Sequence, residues 1–135
     1  FRRVLFRSDP TRMAGTYYVG GHTLFLNPSN SGADTFVGTF VLSAPVAAAG
    51  TFRLDAQSHN GVDFSYTGSY TVNTLTGQSG AYDGGLTLRT NGTNETWFAA
   101  ISRDYNTLIL VDDWLETRAN NTPELNLLVG TRQKP

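Results

Sequence analysis

Side chains that could bind a metal or catalyse a reaction are sparse in this sequence. The two histidines are His22 and His59, and the chain has no cysteine. A zinc site needs three or four converging ligands, and the spacing around either histidine does not supply them. His59 stands beside Asn60 and Gly61, a turn sequence in which solvent exposure is expected, and His22 begins a strand pattern. The sequence therefore predicts no metal site and no cofactor.

The acidic residues form two groups. The denser group consists of Asp104, Asp112, Asp113 and Glu116. It could supply oxygen ligands to Ca²⁺, but Asp113 and Glu116 have the spacing of a helix-capping box, which favours a structural role. The second group, Asp55, Asp63 and Asp83, could provide paired carboxylates for acid–base catalysis. Because Asp63 falls on a polar strand face and no Gly-x-Ser-x-Gly motif is present, we predict no catalytic residue.

Aromatic residues are the strongest candidates for a binding site. The chain has eight Phe, six Tyr and two Trp. Rings on the inward faces of strands can line an apolar cavity or form a packed core, and core is the commoner fate. The candidate cavity-lining residues are Phe36, Phe40, Phe52, Phe64, Tyr66, Tyr70 and Trp97. Their number predicts a packed lower half and at most a shallow cup at one end, with the hydroxyls of Tyr66 and Tyr70 pointing towards water or polar partners there.

These side chains must be positioned by β-strands, because the hydrophobic pattern alternates along most of the chain. In 62–72, Val, Phe and Tyr residues share one face, predicted to point inward, and Asp, Ser and Thr residues share the other. Nine strands are predicted, over 13–19, 22–26, 35–42, 50–56, 62–72, 81–90, 95–102, 106–112 and 125–132. Gly20-Gly21 is predicted to be a tight turn, 27–34 a loop and 113–116 a short helical segment.

A short repeat gives information about the shape of the sheet. Five Gly-x-aromatic triplets begin at Gly15, Gly38, Gly50, Gly68 and Gly80. Within a strand, the glycine and the aromatic residue lie on the same face, and glycine marks a bend or a close approach by a neighbour. Repeated glycine kinks help to curl a sheet into a barrel. We predict an all-β fold, an antiparallel up-and-down β-barrel of about eight to nine strands, with a β-sandwich as the alternative.

Two motifs resemble those of known small barrels. The triplet 15–17, Gly-Thr-Tyr, resembles the Gly-x-Trp opening of lipocalins and avidins, and the segment 130–133, Gly-Thr-Arg-Gln, places an arginine on the last strand. In lipocalins a late arginine packs over the first-strand aromatic and helps to close the barrel, so the resemblance implies that Tyr17 and Arg132 form a closure pair. The segment 68–73 and the same C-terminal motif also resemble a group of lipocalin-like secreted bacterial proteins. The resemblance implies a ligand-binding barrel that is secreted or periplasmic.

Charge and hydropathy argue against two classes of partner. The formal net charge is −1, and Lys134 is the single lysine. Binding to nucleic acid needs a basic face, and no basic cluster occurs beyond the first seven residues. No apolar run approaches the roughly 20 residues of a membrane-spanning helix. We therefore predict no nucleic-acid partner and no membrane span, while the sequence leaves the oligomeric state open.

The first eight residues, FRRVLFRS, resemble the translation of a common short-read sequencing adapter. We therefore expect 1–8 to be an adapter-derived artefact and 9–135 to be a single β-barrel domain. On this interpretation the sequence was assembled from environmental DNA. The natural N-terminus and any signal peptide would then lie upstream of the chain.

Three functions are compatible with such a barrel. The leading hypothesis is a secreted or periplasmic module that binds a small, largely apolar ligand at one mouth. One alternative is a structural or adhesion module with a solid core. Another is a barrel-type cyclase or isomerase acting through the shape of its cavity. That enzyme would need a polar group pointing inward, for which Arg53, Arg89 and Glu95 are the candidates.

Overall fold

A computed structural model describes residues 9–27, 30–74, 82–92, 95–112 and 124–134. In these ranges one 3-10 helix, Pro10–Met13, precedes eight strands. The strands are β1 (Gly15–Asn27), β2 (Asn30–Leu42), β3 (Ala49–Ser58), β4 (Asp63–Thr74), β5 (Tyr82–Thr90), β6 (Thr96–Ile101), β7 (Thr107–Asp112) and β8 (Glu124–Arg132). No helix in the described ranges is both long and apolar enough to cross a membrane. The predictions for 1–8, Gly80 and 113–116 lie outside the described residues.

The eight strands close into one barrel. Each strand pairs antiparallel with the next, and β1 also pairs with β8. In this closing pair, Tyr17 lies opposite Arg132 and Leu24 lies opposite Leu125. The predicted antiparallel up-and-down barrel is confirmed. The alternative of a β-sandwich is wrong, because a sandwich consists of two separate sheets.

The turn predicted at Gly20-Gly21 is wrong, which reduces the nine predicted strands to eight. β1 runs without interruption through both glycines, and each pairs with β2 on one side and β8 on the other. A Cβ atom on Gly21 would lie 2.5 Å from the carbonyl oxygen of Leu127 and 2.6 Å from Cζ of Phe36. The glycine therefore serves a close approach between neighbours and not a reversal of the chain.

The loop predicted over 27–34 is also wrong, because most of this segment belongs to β2. That strand begins at Asn30, and Asn27 pairs with Asn30 across the hairpin. Asn, Ser, Gly and Asp favour turns locally, but pairing with the long first strand keeps them in the sheet. The sheet register here overrides the local preference.

The 3-10 helix lies at the lower end of the barrel, where β1 begins. Its N-cap is Asp9, whose carboxylate accepts a hydrogen bond from Thr11 N at 3.0 Å, and Pro10 occupies the first position. Its last residue, Met13, is fully buried. Met13 was predicted to begin the first strand, and the cap and proline that precede it are the signals for a helix instead.

The interior follows the alternation of the strands. The largest fully buried side chains are Tyr17, Tyr70, Phe40, Met13, Leu54, Leu86, Leu88, Leu108, Leu110 and Leu128. In the middle of the barrel, Phe40 and Phe52 stack with their ring centroids 5.6 Å apart. This arrangement is the packed lower half that the number of aromatic residues predicts.

Arg132 ties the last strand to the chain segment before the first. Its Nη1 donates to the carbonyl of Arg12 at 2.8 Å, and its Nη2 donates to the carbonyl of Ala14 at 2.5 Å. Tyr17 lies opposite, and its hydroxyl donates to the carbonyl of Met13 at 2.9 Å. Burial raises the pKa of Tyr17. A cation at the end of the 3-10 helix satisfies carbonyls that have no partner within the helix.

Replacing Arg132 with alanine is expected to lower the free energy of unfolding by about 2 kcal/mol, because two hydrogen bonds from a charged donor are lost. Urea denaturation measures this change. Arg89, exposed on the outer face of β5, provides the matched control. Arg89→Ala should change the free energy by less than about 0.5 kcal/mol. Equal effects of the two variants would show that the Arg132 hydrogen bonds contribute no stability.

Candidate functional site

The upper end of the barrel, where β1 ends and β2 begins, contains a cavity of about 280 Å³ that we call the mouth pocket. Its apolar side consists of Phe25, Phe36, Leu54, Val62, Phe64, Tyr66, Trp97 and Leu128. Its polar side consists of Thr23, Asp34, Ser58, Asn60 and Asn126. A largely apolar cavity with a few convergent polar groups is the usual form of a small-molecule site.

A continuous row of rings forms the apolar side. Phe36 and Phe64 meet edge to face with centroids 5.4 Å apart, and Tyr66 and Trp97 do the same at 5.3 Å. Phe64 and Tyr66 join the two pairs at 5.9 Å. Phe36 and Trp97 are buried, whereas Phe64 and Tyr66 are half-buried. The accessible ring surface of the pocket is therefore supplied by these two rings of β4 and by Phe25 of β1, which is also half-buried.

Asn126 lies at the centre of a hydrogen-bond network on the polar side. The buried carboxylate of Asp112 accepts from Asn126 N at 2.9 Å and from its Nδ2 at 2.8 Å. The Oδ1 of Asn126 accepts a hydrogen bond from the hydroxyl of Thr23, which lies opposite it across the β1–β8 pair. Because the Nδ2 group of Asn126 donates to Asp112, the Oδ1 end of the same amide faces Thr23.

Asp34 is the one charged side chain among the described residues that line the mouth pocket. It projects from the inward face of β2, and its side chain is 22% exposed. Its Oδ1 accepts from Thr35 N at 2.7 Å and contacts Nδ1 of His59, a residue at the rim that is half exposed. The pocket therefore has a carboxylate on one side and aromatic rings on the other.

This barrel is similar to designed fluorescence-activating β-barrels. One such de novo design superposes with a TM-score of 0.55 at 15% identity, covering 93% of this chain and 99% of the other. The redesigned barrel mFAP0 superposes with a TM-score of 0.58 at 13% identity, covering 90% and 99%. No family model and no curated protein matches the sequence. The likeness at this identity shows the fold.

The structure separates the seven predicted ring residues into two sets. Phe36, Phe64, Tyr66 and Trp97 line the mouth pocket. The other three lie in the buried core and do not line it: Phe40, Phe52 and Tyr70. The set predicted from the alternation therefore contains residues that line the mouth pocket and residues of the buried core below it, which we call the floor.

Tyr70 does not face the mouth, so the prediction for its hydroxyl is wrong. The hydroxyl is buried and donates to the carbonyl of Ser43 at 2.7 Å, near the lower end of the barrel. Its ring covers Gly50, where a Cβ atom would lie only 2.5 Å from the ring. Burial raises the pKa of Tyr70. Val62, which was also predicted to point inward, lines the mouth pocket, but it lies at the rim before β4 begins and is 61% exposed.

The polar residues of the mouth pocket were missed by sequence reasoning. Thr23 and Phe25 share the inward face of β1 with Tyr17, a relation that the turn predicted at Gly20-Gly21 conceals. Asp34 fell in the predicted loop. Asn126 lies among leucines that are apolar on both faces of β8, so the alternation does not show that it points inward. The sequence signal that could have identified these residues is a polar residue on the inward face of a strand, close to the end of that strand.

The remaining acidic and basic candidates lie elsewhere. His22 is exposed on the outer face of β1. Asp55 accepts from Arg53 at 2.5 Å on the outer surface, and Asp63 accepts there from Gln57 at 2.8 Å. Among the described residues, no three His, Asp or Glu side chains come together as metal ligands.

Asp83 and Asp104 stabilise local backbone structure. Asp83 accepts from Gly85 N at 2.7 Å. Asp104 accepts hydrogen bonds from Ser102 and Asn106 in the turn between β6 and β7, and these bonds lower its pKa to about 2. Each carboxylate therefore has a structural contact away from the mouth pocket.

The polar groups predicted for an enzyme do not reach the cavity. Arg53 is exposed on the outer surface, and Arg89 is exposed on the outer face of β5. Glu95 precedes β6, where its backbone N–H donates to the hydroxyl of Thr90 at 2.9 Å. None of the three lines the mouth pocket, so the polar group that a barrel-type enzyme would need in its cavity does not come from these residues.

Proposed function

We propose that this protein binds a small, largely apolar ligand in the mouth pocket. The observation that carries the proposal is the half-buried pair Phe64 and Tyr66, which face a cavity above a fully packed floor. A barrel whose aromatic residues served the core alone would bury these two rings as completely as Phe40. Large apolar side chains left accessible in a concave site are typical of ligand binding.

The size of the cavity suits a small ligand. An apolar cavity of about 150 Å³ in another protein accommodates benzene, so about 280 Å³ corresponds to a ligand of roughly two fused rings. The redesigned barrels mFAP0 and mFAP1 are bound to the small molecule DFHBI. This supports the capacity of the fold to hold such a ligand.

The location that we propose is secreted or periplasmic. The support is the resemblance of the segments 68–73 and 130–133 to lipocalin-like secreted bacterial proteins.

Replacing Tyr66 with alanine is expected to weaken the binding of a neutral, fluorescent two-ring probe, 2-naphthol, by about tenfold or more. The variant removes one ring of the row and its contact with Trp97, and such a ring contact contributes about 1.5–3 kcal/mol in total. Titration of the protein into the probe, followed by fluorescence, measures the dissociation constant.

Tyr18 provides the matched control for this experiment. It is a tyrosine on the outer face of β1 and is 53% exposed. Tyr18→Ala should leave the affinity for the probe unchanged. Absence of saturable binding to the unaltered protein, or equal affinities for all three proteins, would contradict the proposed function.

One observation favours a structural or adhesion module as the second candidate. Apolar side chains cover the outer face of adjacent strands: Phe98, Ile109, Leu127 and Val129 are 43–48% exposed. Ile109 lies opposite Val129, and Val111 joins Phe98 to Leu127 across β6, β7 and β8. Contiguous exposed apolar residues on a sheet are common in protein–protein contacts.

Sedimentation equilibrium distinguishes the two candidates. A monomer at all concentrations, together with saturable probe binding, supports the ligand-binding module. The structural module is supported if the mass rises with protein concentration and the probe does not bind. In that case the variant Phe98→Ser should have a lower mass than the unaltered protein at the same concentration.

A further inference from the structure

Among the described residues, the polar side of the mouth pocket has one charged group, the carboxylate of Asp34. Both contacts of the Asp34 carboxylate use Oδ1. Among the described residues, none donates to its Oδ2. The carboxylate is therefore held in place through one oxygen, and the lone pairs of the other can accept a hydrogen bond from a ligand.

The network around Asn126 makes Thr23 a second acceptor. Asp112 takes the Nδ2 group of Asn126, so the Oδ1 of that amide faces Thr23 and accepts its hydroxyl hydrogen. The hydroxyl of Thr23 has then used its single donor, and its lone pairs are what remain for a ligand. The buried carboxylate of Asp112 thus acts through Asn126 to fix the polarity of the pocket wall.

The hydrogen-bond donors that line the mouth pocket do not offset the negative charge of Asp34. Ser58 accepts a hydrogen bond from Val62 N at 3.3 Å and can donate its own hydroxyl, and Asn60 can donate from its amide, but both side chains are neutral. The indole N–H of Trp97 is fully covered by protein atoms and has no hydrogen-bond partner in the described part of the chain. It is therefore inaccessible to a ligand in the cavity. Among the described residues, His59 is the one basic side chain that contacts Asp34, and it approaches from the rim.

Aromatic rings lie next to the carboxylate. Phe36 projects from the same face of β2 as Asp34, and Phe36 contacts Phe64 edge to face. A protonated amine is attracted both to a carboxylate and to the face of an aromatic ring. Neutral and anionic ligands lose one or both of these attractions.

We propose that the natural ligand of the mouth pocket is an organic cation, with an apolar body of about two rings and a protonated amine that pairs with Asp34. The amine donates to Oδ2 of Asp34 and to the hydroxyl oxygen of Thr23, while the apolar body packs on Phe64 and Tyr66. This inference rests on the proposed ligand-binding function and specifies the chemical class of the ligand.

Three probes that share one ring system test the inference: naphthylmethylamine, which is protonated at pH 7.5, neutral naphthylmethanol, and anionic naphthoate. Isothermal titration calorimetry measures their affinities. The amine is expected to bind about tenfold more tightly than the alcohol, and the naphthoate most weakly, because a hydrogen bond to a charged group is stronger than one between neutral groups.

Asp34→Asn is expected to weaken binding of the amine by about tenfold and to leave binding of the alcohol unchanged. Asp63→Asn is the matched control, because it changes the net charge equally and lies on the outer face at the same end of the barrel. It should alter neither affinity. Thermal unfolding of both variants reports whether the barrel itself is preserved.

The outcomes separate this inference from the proposed function. Binding of the alcohol as tight as that of the amine, with no effect of Asp34→Asn, would overturn the cation inference and leave an apolar-ligand module. If Asp63→Asn weakened binding of the amine as much as Asp34→Asn does, the inference would also be overturned. The effect would then come from the net charge of the protein and not from a contact with Asp34. Failure of all three probes to bind would overturn the proposed function itself.

Discussion

Gly38→Ala is expected to lower the free energy of unfolding by about 3 kcal/mol, since added atoms in a tightly packed interior force the backbone apart. A Cβ atom at Gly38 would lie 2.1 Å from the carbonyl oxygen of Asp55 and 2.7 Å from Cα of Ala56. Both are backbone atoms of β3, which pairs with β2 at this position, so no side-chain rotation relieves the clash. Urea denaturation at equilibrium measures the loss.

Gly32→Ala is the matched control, made in the same strand. A Cβ atom at Gly32 meets no atom within 4 Å. Its backbone does not need the left-handed conformation that favours glycine. The free energy of unfolding should therefore stay within about 0.5 kcal/mol of the unaltered protein or rise slightly. If Gly38→Ala were equally harmless, the strands could not require the close approach seen at that glycine.

The same glycines explain why the barrel could be predicted from the sequence. Gly38 and Gly68 each begin a Gly-x-aromatic triplet, and at Gly68 a Cβ atom would lie 2.0 Å from the carbonyl oxygen of Arg89 on the next strand. Repeated close approaches on the inward face allow a sheet to coil until its first and last strands meet. The repeat and the alternation together therefore predict the closed barrel.

The error at Gly20-Gly21 has a physical origin. Two consecutive glycines can provide the positive φ angles of a tight turn, or they can provide space for neighbouring strands. In this barrel neither residue has a positive φ angle, whereas Gly61 and Gly92, in true turns, do. The local sequence is compatible with both uses. The choice depends on Leu127 and Phe36, which are distant in the chain.

The site was predictable only in part, because alternation defines the face of a residue and not its height along the barrel axis. Phe36 and Phe40 share the inward face of β2, yet Phe36 lines the mouth pocket and Phe40 lies in the floor. Height depends on strand register and stagger, which are properties of the whole sheet. The network of Asp112, Asn126 and Thr23 joins three strands and has no local signature.

The division between floor and pocket leads to the second large effect. Phe40→Ala is expected to lower the free energy of unfolding by about 3–5 kcal/mol, the usual cost of removing a buried aromatic ring and leaving a cavity. Phe40 is fully buried and stacks on Phe52. Equilibrium urea denaturation is the measurement. Phe98→Ala, on the outer face of β6 where the ring is 44% exposed, is the matched control and should cost less than about 1 kcal/mol.

Aromatic rings of the floor and aromatic rings of the mouth pocket should also differ in their contribution to ligand binding. Under conditions in which Phe40→Ala remains folded, its affinity for 2-naphthol should stay within about twofold of that of the unaltered protein, because Phe40 does not line the mouth pocket. Tyr66→Ala should show the opposite pattern, a small change in stability with a large loss of affinity, because its half-buried ring leaves little cavity behind. A Phe40→Ala protein that lost affinity as strongly as Tyr66→Ala would show that floor and pocket form one cooperative unit. Ligand binding would then depend on the packing of the whole interior and not only on the rings of Phe64 and Tyr66 in β4.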